Sequence, residues 1–509
     1  MSDCNLQTAF IEKGCLPHQA EFASAFFAAD SARKHLLVSA PGLGKGYVVA
    51  AIVNYALSTG VAHHVLVLAD RSDLVNQWQA IIRRVNPDLP VMVIDRRRYR
   101  ELEDSCPVGD SIWPVVGVVI LALDFASQPD VADALARSPL DLLVIDEVRP
   151  APRQTHRAKF LLDVVDRPKT RVLALQAGGL WTKVEIDDSS SLFQDAAVTI
   201  WSGETLRDDQ GKRLLPEVRL EWVVYKRPAE ELEVLAQLQN AARSLNTTTP
   251  QMRLFAASLL QSASSSPFAL EQRLLRIRQR RNDLVHNIEI NTPSENEAAE
   301  VGMDEPEMAN IDELARGVIQ LSSITESLSK MLEDLPSDSK CDALMALLND
   351  LDSFKSPEHR VCVFTKFVDT ATYLASTLQE VCSQVMVITG SSSFVERDQK
   401  LAEFVRDGGV LIATEAVEAP FPEVAAVIFY DIPLSPTVLE SRIGRFVRIG
   451  RLAPRIVAFM DESNALVIER LQRRIADFKE SFSESEIQRA LFSDAAELLP
   501  QRPGKSGSQ

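Results

Sequence analysis

What this chain of 509 residues lacks already excludes several classes of protein. Its six cysteines are scattered and never form a Cys-x-x-Cys pair, which argues against a disulfide framework or a zinc site. The longest apolar run, Val115 to Leu123, is about half of the ~20 residues that a membrane helix needs. The N-terminus has no basic stretch followed by apolar residues, so nothing predicts export. We therefore expect a cytoplasmic protein that does not contact a membrane.

Basic residues are outnumbered by acidic ones. The chain has 54 lysines and arginines against 71 acidic residues, for a net charge of −17. This balance excludes a uniformly basic coat for nucleic acid, but not a local basic groove. The hydrophobic fraction of 46% and the charged fraction of 25% are typical of globular proteins and exclude a disordered chain. The length predicts about three domains.

Two regions of the chain alternate short apolar runs with amphipathic stretches, which predicts an α/β fold. The runs are rich in Val, Ile and Leu on both faces, so we expect parallel sheets that are covered by helices on both sides. The candidate strands are Leu36–Ser39, Val65–Ala69, Val116–Ala122, Leu142–Ile145 and Val172–Leu175, followed by Val361–Phe364, Val385–Thr389, Val410–Ala413, Ala426–Tyr430 and Ile456–Met460.

A helical segment separates the two α/β regions. Leucines recur at three-residue steps from Leu232 to Leu238, and a stretch from Ser294 to Glu313 carries eight acids and no base, which indicates a solvated linker. The predicted domains are a first lobe over 1–205, a helical insertion with an acidic linker over 206–340, a second lobe over 341–465, and a C-terminal helix with a disordered tail over 466–509.

The strand Leu36–Ser39 is followed by a glycine-rich loop and then a helix. The loop contains Gly42, Gly44, Lys45 and Gly46. A strand, a glycine-rich turn and a helix N-terminus form a cradle for phosphate, in which Lys45 would neutralise the terminal phosphates. An ordinary strand-to-helix turn is the alternative, but the Gly-x-Gly-Lys pattern favours nucleotide binding.

Two acids end the buried strand Leu142–Ile145, namely Asp146 and Glu147. Ligands bind at the carboxyl edge of open parallel sheets. Asp146 would therefore hold Mg²⁺, directly or through water, and Glu147 would polarise the water that attacks ATP. A solvated acidic turn is the alternative interpretation of the pair taken alone.

With these motifs the chain resembles superfamily 2 helicases and translocases, and within that group the Swi/Snf-like and RapA-like DNA-dependent ATPases. Leu16-Pro-His-Gln19 resembles the motif that reads adenine, and Leu74-Val-Asn-Gln-Trp78 resembles one that contacts the nucleic-acid backbone. The resemblance implies two RecA-like lobes, ATP and Mg²⁺ as cofactors, double-stranded DNA as a partner, Gln19 on the base and Gln77 on nucleic acid. For Trp78 we prefer packing on the sheet.

The second α/β region carries the other half of this resemblance. Its clearest match is the run from Ser441 to Arg451, in which Arg445 and Arg448 lie three residues apart. That spacing predicts one face of a helix, from which both could reach a γ-phosphate as arginine fingers. We expect the two lobes to face each other across a cleft that contains Lys45, Asp146, Glu147 and both arginines. A solvated basic helix is the alternative.

Further candidate contacts with nucleic acid lie in the insertion and in the second lobe. Leu259 to Arg273 resembles an insertion of RapA-like translocases, and arginines at 273, 276 and 280 would meet a DNA backbone. A solvated basic helix face is an equally good explanation. Thr414 ends the strand before a motif that contacts nucleic acid in the related group.

Four positions depart from the family pattern. Gly46 replaces the Ser or Thr whose hydroxyl ligates Mg²⁺ in a working phosphate loop. The departures elsewhere are Val148-Arg149 after the acids, Gln176-Ala-Gly-Gly179 in place of a Thr-Ala-Thr-Pro-like motif, and Val417 to Pro422 in place of a Gly-x-Gly segment. Together they predict a motor that hydrolyses ATP slowly or not at all.

Two functional classes remain open. The first is an ATP-dependent DNA translocase with weakened hydrolysis that works in a multiprotein bacterial genome-maintenance or anti-phage system. The second is a degenerate helicase-fold subunit that binds nucleotide, DNA or partner proteins as a scaffold. With a net charge of −17, we expect modest, salt-sensitive DNA affinity and recruitment by other proteins.

Overall fold

Two compact units make up the part of the chain that the computed structural model describes. The first contains Met1–Pro216 and Val447–Arg451, and the second contains Glu217–Phe446 and Leu452–Gln509. The described residues are 3–28, 30–70, 72–106, 113, 117–147, 156–177, 195–203, 205–208, 210–244, 250–285, 324–351, 360–414, 421–433, 439 and 442–462.

The first unit is built on a parallel sheet of seven described strands in the order β3-β4-β2-β5-β6-β1-β7. The strands are β1 (Lys34–Ser39), β2 (His64–Ala69), β3 (Val91–Val93), β4 (Gly117–Ala122), β5 (Leu142–Ile145), β6 (Arg171–Ala177) and β7 (Ala197–Trp201). The helices are α1 (Asp3–Glu12), α2 (Pro17–Phe27), α3 (Lys45–Ser58), α4 (Ser72–Val85), α5 (Arg96–Ser105), α6 (Leu123–Ala126), α7 (Pro129–Ala136) and α8 (His156–Val165).

Both faces of this sheet are covered. Successive residues of a strand point to opposite faces, so Leu37 packs in one core while Leu36 and Val38 pack in the other. All three side chains are at most 2% exposed. Burial on both faces explains why these strands are continuous apolar runs rather than alternating ones.

The second unit contains another parallel sheet, of six described strands in the order β10-β11-β9-β12-β13-β8. The strands are β8 (Leu220–Tyr225), β9 (Arg360–Thr365), β10 (Val385–Ile388), β11 (Gly409–Thr414), β12 (Ala426–Phe429) and β13 (Arg455–Asp461). The helices are α9 (Ala229–Ser244), α10 (Pro250–Ser265), α11 (Pro267–Val285), α12 (Ser339–Asp350), α13 (Val368–Gln379) and α14 (Phe394–Asp407).

The helices between the two α/β regions have a core of their own. Leu238 of α9, Leu259 of α10 and Leu274 of α11 are buried together with Leu328, which lies in a helical stretch over 324–333.

The two sheets confirm the predicted α/β class, with parallel sheets flanked by helices. Within the described ranges, no helix is long and apolar enough to cross a membrane.

The structure adds three strands that the sequence analysis missed, β3, β7 and β8. Each lies at an edge of its sheet. β8 was assigned to the helical insertion, yet it pairs with β13 of the second sheet. β3 is only three residues long, and the apolar runs of β7 and β8 are interrupted by Thr199 and Glu221.

Several predictions concern residues outside the described ranges. They include the departures at Val148, Arg149, Gly178 and Gly179, the segment from Val417 to Pro420, the acidic linker over 294–313 and the C-terminal region from residue 466.

Candidate nucleotide site

The glycine-rich loop has the backbone geometry of a phosphate cradle. Gly42 and Gly44 have φ values of +87° and +81°, in the left-handed region that favours glycine. Gly44 is the N-cap of α3, and Lys45 is its first residue. The loop therefore turns from the carboxyl end of β1 directly into a helix N-terminus, where backbone N–H groups and the helix dipole favour an anion.

Two side chains from α2 hold this loop from behind. Gln19 Nε2 donates to the Leu43 carbonyl oxygen at 3.1 Å, and His18 Nε2 lies 3.3 Å from the same oxygen. Gln19 also accepts a hydrogen bond from the Leu16 backbone N–H at 3.0 Å, and it is only 3% exposed. In this structure Gln19 ties the start of α2 to the loop, and its reading of adenine stays a prediction.

Packing constrains position 46, where glycine replaces the Ser or Thr whose hydroxyl would ligate Mg²⁺. A Cβ built on Gly46 would lie 3.2 Å from Cδ1 of Ile81, which belongs to α4. Because this is tighter than ordinary van der Waals contact, a Ser or Thr here requires Ile81 to shift. The absence of the hydroxyl is thus matched by a neighbouring side chain that approaches the glycine closely.

The two acids after β5 are held in unusual surroundings. The Asp146 backbone N–H donates to Leu68 of β2 at 2.9 Å, and its Oδ2 accepts from the Trp78 indole at 2.7 Å. Glu147 has a φ of +57°, and among the described residues it is the single non-glycine residue with a positive φ. Left-handed backbone at a non-glycine residue costs about 1–3 kcal/mol and clusters at functional sites.

These acids fit a magnesium ion that is bound together with a nucleotide. Carboxylate oxygens are suitable ligands, and Mg²⁺ is typically held by one or two carboxylates plus substrate phosphates. Among the described residues, no group of three or more His, Cys, Asp or Glu side chains could hold a metal alone. The chemistry of Asp146 and Glu147 therefore suits a metal that arrives with phosphate.

The predicted helix through Arg445 and Arg448 is wrong. Of the described residues in this run, only 442–443 are helical; Gly444–Phe446 form a turn, and Arg448 lies in a non-helical stretch. The backbone N–H of Arg445 donates to the Arg442 carbonyl, an i to i−3 bond that closes a turn rather than an α-helix. Glycines at 444 and 450, the second with a φ of +78°, oppose a continuing helix.

The segment Val447–Arg451 clusters with the first unit, although it follows strands of the second. Ile449 packs against the core of that unit, and a Cβ on Gly42 would overlap the backbone oxygen of Val447. Burial, with a smaller contribution from Arg451, lowers the pKa of the Arg448 guanidinium. The Arg448 backbone thus lies beside the phosphate loop, while its role as an arginine finger stays a prediction.

The predicted contacts with nucleic acid have different surroundings. Gln77 is exposed on α4. Thr414 is 3% exposed, and its hydroxyl accepts from the Gly390 backbone N–H at 3.1 Å. Arg273 donates to the Ser258 hydroxyl at 2.7 Å, and Arg276 forms an ion pair with Asp369 of α13. Neither arginine is simply solvated; the Arg280 side chain lies outside the described residues.

Sequence reasoning missed a buried charge network in the second unit. Lys340 Nζ lies 2.8 Å from Asp431, which also accepts from the hydroxyls of Thr365 and Ser265. Burial alone would raise the pKa of Asp431, but the Lys340 ammonium and these donors hold it below its usual range. A lysine and an aspartate 91 residues apart give no local signal of pairing.

Comparisons with known proteins agree with the motifs. A family model described as the res subunit of type III restriction enzymes matches residues 12–159, and one described as the helicase conserved C-terminal domain matches 339–450. The chain is 24% identical to the uncharacterized ATP-dependent helicase YqhH of Bacillus subtilis, over 86% of this chain and 73% of that protein.

It is also 24% identical to the RNA polymerase-associated protein RapA of Cronobacter sakazakii, over 86% of this chain and 46% of that protein. The chain thus spans about half the length of this relative. The Hef helicase domain of Pyrococcus furiosus superposes with a TM-score of 0.56 at 19% identity, covering 92% of this chain and 99% of that one. This likeness shows a shared fold, and the resemblance predicted from the motifs is confirmed.

Proposed function

We propose that this superfamily 2 helicase-like chain is an ATP-dependent DNA translocase that binds ATP but hydrolyses it slowly. The coarse class, a helicase-like and ATP-dependent protein, agrees with the family models and with the relatives. Translocation, DNA as the nucleic acid and weakened hydrolysis are our proposal, as is work within a multiprotein bacterial genome-maintenance or anti-phage system.

The observation that carries ATP binding is the placement of both anchors on one sheet edge. β1 and β5 are parallel and both pair with β6, which lies between them, so the phosphate loop and Asp146 follow strand ends on the same edge of the sheet. Lys45 begins the helix after the loop and would attract the terminal phosphates. Asp146 would hold Mg²⁺, which would supply positive charge to the phosphates. Glu147 would orient the attacking water.

Weakened hydrolysis is supported by the packing at Gly46. The position lacks the hydroxyl ligand, and Cδ1 of Ile81 would lie only 3.2 Å from the first atom of a side chain there. Losing one preorganised group that stabilises charge typically slows a reaction by roughly 10²–10³. Several such losses need not be additive. Since Glu147 is retained and both arginines remain as predicted fingers, we expect slow turnover rather than none.

The same packing favours a second candidate function, a helicase-fold scaffold that binds nucleotide or DNA without turnover. In that case ATP would stabilise a shape that partner proteins recognise. RapA is named as RNA polymerase-associated, and by analogy we propose that protein partners recruit this chain as well. A net charge of −17 leaves DNA affinity to local basic residues, so it should be modest and salt-sensitive.

Steady-state ATP hydrolysis with and without double-stranded DNA distinguishes the two functions. We would compare the wild type with Lys45→Ala and Glu147→Gln. A third variant combines Gly46→Ser, which restores a hydroxyl that could ligate Mg²⁺, with Ile81→Val. The second change removes the Cδ1 atom that would crowd the new side chain. The matched control is Ile81→Val alone.

Slow, DNA-stimulated turnover that Glu147→Gln abolishes and Gly46→Ser/Ile81→Val accelerates at least tenfold supports the weakened motor. No turnover in any variant, with ATP binding intact, supports the scaffold. Vigorous wild-type turnover would refute the weakened hydrolysis. Failure to bind either ATP or DNA would refute both functions.

A further inference from the structure

One face of α4 contacts both Asp146, the predicted Mg²⁺ ligand, and Gly46, the position that lacks the hydroxyl ligand. Trp78 donates its indole N–H to Asp146 Oδ2 at 2.7 Å, and one turn later Ile81 approaches Gly46. Residues three apart on a helix lie on the same face, so a single rigid element contacts both positions. The sequence analysis assigned Trp78 to packing alone.

The indole bond restricts how the carboxylate can rotate. Trp78 is 4% exposed and is buried in the same core of the first unit as Leu37, so its ring has a fixed orientation. The Asp146 backbone is bonded to Leu68 of β2, the strand that leads into α4. Asp146 is therefore held at its backbone by one end of this strand–helix pair and at its side chain by the other.

The opposite face of α4 is open to solvent. Gln77, adjacent to Trp78 in sequence, is exposed and is a predicted contact with nucleic acid. A rigid helix transmits a displacement at one face to the other. Any shift of α4 that follows contact at Gln77 would therefore move the indole and the carboxylate that it holds.

We propose that Trp78 is a positioning residue that holds Asp146 for Mg²⁺–nucleotide, and that α4 transmits nucleic-acid contact to this carboxylate. The inference rests on the proposed function, because it requires that nucleotide binds at the phosphate loop. Motifs that couple nucleotide to nucleic acid in the related family depart from its pattern in this chain. The inference assigns part of that coupling role to α4. Outer partners of metal ligands typically contribute about 10–100-fold to metal affinity.

The test measures how Mg²⁺ tightens the binding of a fluorescent ATP analogue, in four proteins. They are the wild type, Trp78→Phe, Asp146→Asn and the double variant. Trp78→Phe keeps an aromatic ring but removes the N–H donor. If it fails to fold, Trp78→benzothienylalanine preserves the bicyclic shape without that donor. Ile82→Val is the matched control, since it removes one buried methylene equivalent from the same helix.

We expect Trp78→Phe to raise the Mg²⁺ midpoint at least tenfold, while binding without Mg²⁺ changes less than twofold. Because Trp78 acts through Asp146, the double variant should lie within twofold of Asp146→Asn alone. Ile82→Val should shift the midpoint less than twofold. DNA should change the midpoint in the wild type, and it should no longer do so in Trp78→Phe.

An unchanged midpoint in folded Trp78→Phe would overturn the inference and leave the proposed function intact. Independent effects of the two substitutions that multiply in the double variant would also overturn it. A wild type that binds no ATP analogue would instead refute the proposed function, and this inference with it.

Discussion

The carboxyl edges of the two sheets both carry a lysine and an aspartate, but in opposite surroundings. In the first unit Lys45 and Asp146 are half-buried beyond the carboxyl ends of β1 and β5, next to a loop with two glycines in the left-handed conformation. In the second unit Lys340 is 5% exposed and is paired with Asp431 beneath Ser265 of α10.

The difference separates the proposed nucleotide site from a structural network. Buried charges persist when they are paired and hydrogen-bonded, and the second edge meets this condition with protein groups alone. The first edge keeps its charges beside a helix N-terminus that favours an anion. In the second unit, Ser265 of α10 donates to Asp431 at this edge.

Matched lysine variants should show the largest contrast. Lys340→Met leaves Asp431 without its cation in a buried site, and breaking such a pair typically costs about 3–5 kcal/mol. Lys45→Met should change stability by less than about 0.5 kcal/mol, as for ordinary surface sites, but abolish ATP binding. Hydrogen exchange within each unit and analogue binding measure the two effects. Equal destabilisation by both variants would contradict the comparison.

Glycine variants should give a smaller effect. Gly44→Ala combines a φ of +81° with overlap at the Gln19 amide, whereas Gly211→Ala has a φ of +78° and nothing within 4 Å. The backbone penalty of roughly 1–2 kcal/mol is common to both. Only Gly44→Ala should also displace Gln19 and weaken ATP binding by at least tenfold. Similar binding by the two variants would show that loop geometry does not control the site.

The pH dependence should be the smallest effect and should differ between the units. Burial lowers the pKa of His18 and of His35 in the first unit. Their unfolded forms then bind more protons, so this stability is present above about pH 6.5 and is lost as pH falls through the folded pKa values.

The second unit should not lose stability in that window. Burial raises the pKa of Asp338, which makes the folded form bind the proton first, and the lowered pKa of Asp431 matters only near or below about pH 4. Hydrogen exchange between pH 7 and 5 should show loosening in the first unit alone. The variant His18→Gln/His35→Gln should remove that slope, and a slope that persists would assign it to other groups.

The central strands, and the places of the glycine-rich loop and the two acids at their ends, could be predicted from sequence because these signals are local. Continuous apolar runs identified strands such as β1 and β5, and the loop and acids follow them directly. β7 was missed because Thr199 interrupts its apolar run. Its Val198 and Ile200 side chains are exposed, as suits a strand at the edge of the sheet.

Contacts between distant residues could not be predicted in this way. The Trp78–Asp146 bond spans 68 residues, and the approach of Ile81 to Gly46 depends on how α4 packs against α3. A buried tryptophan usually needs a partner for its N–H, which is the one signal that a partner existed. The arginine helix was wrong because spacing was weighed above the two glycines within the run.

The most direct test of the account is the chemical state of nucleotide bound to the wild type. Protein would be incubated with radiolabelled ATP, Mg²⁺ and double-stranded DNA, separated from free nucleotide within a minute, and the bound fraction resolved into ATP and ADP. We expect nearly stoichiometric nucleotide that is mostly ATP, with more ADP in Gly46→Ser/Ile81→Val. Bound nucleotide that is entirely ADP would contradict slow hydrolysis, and no bound nucleotide would contradict the site itself.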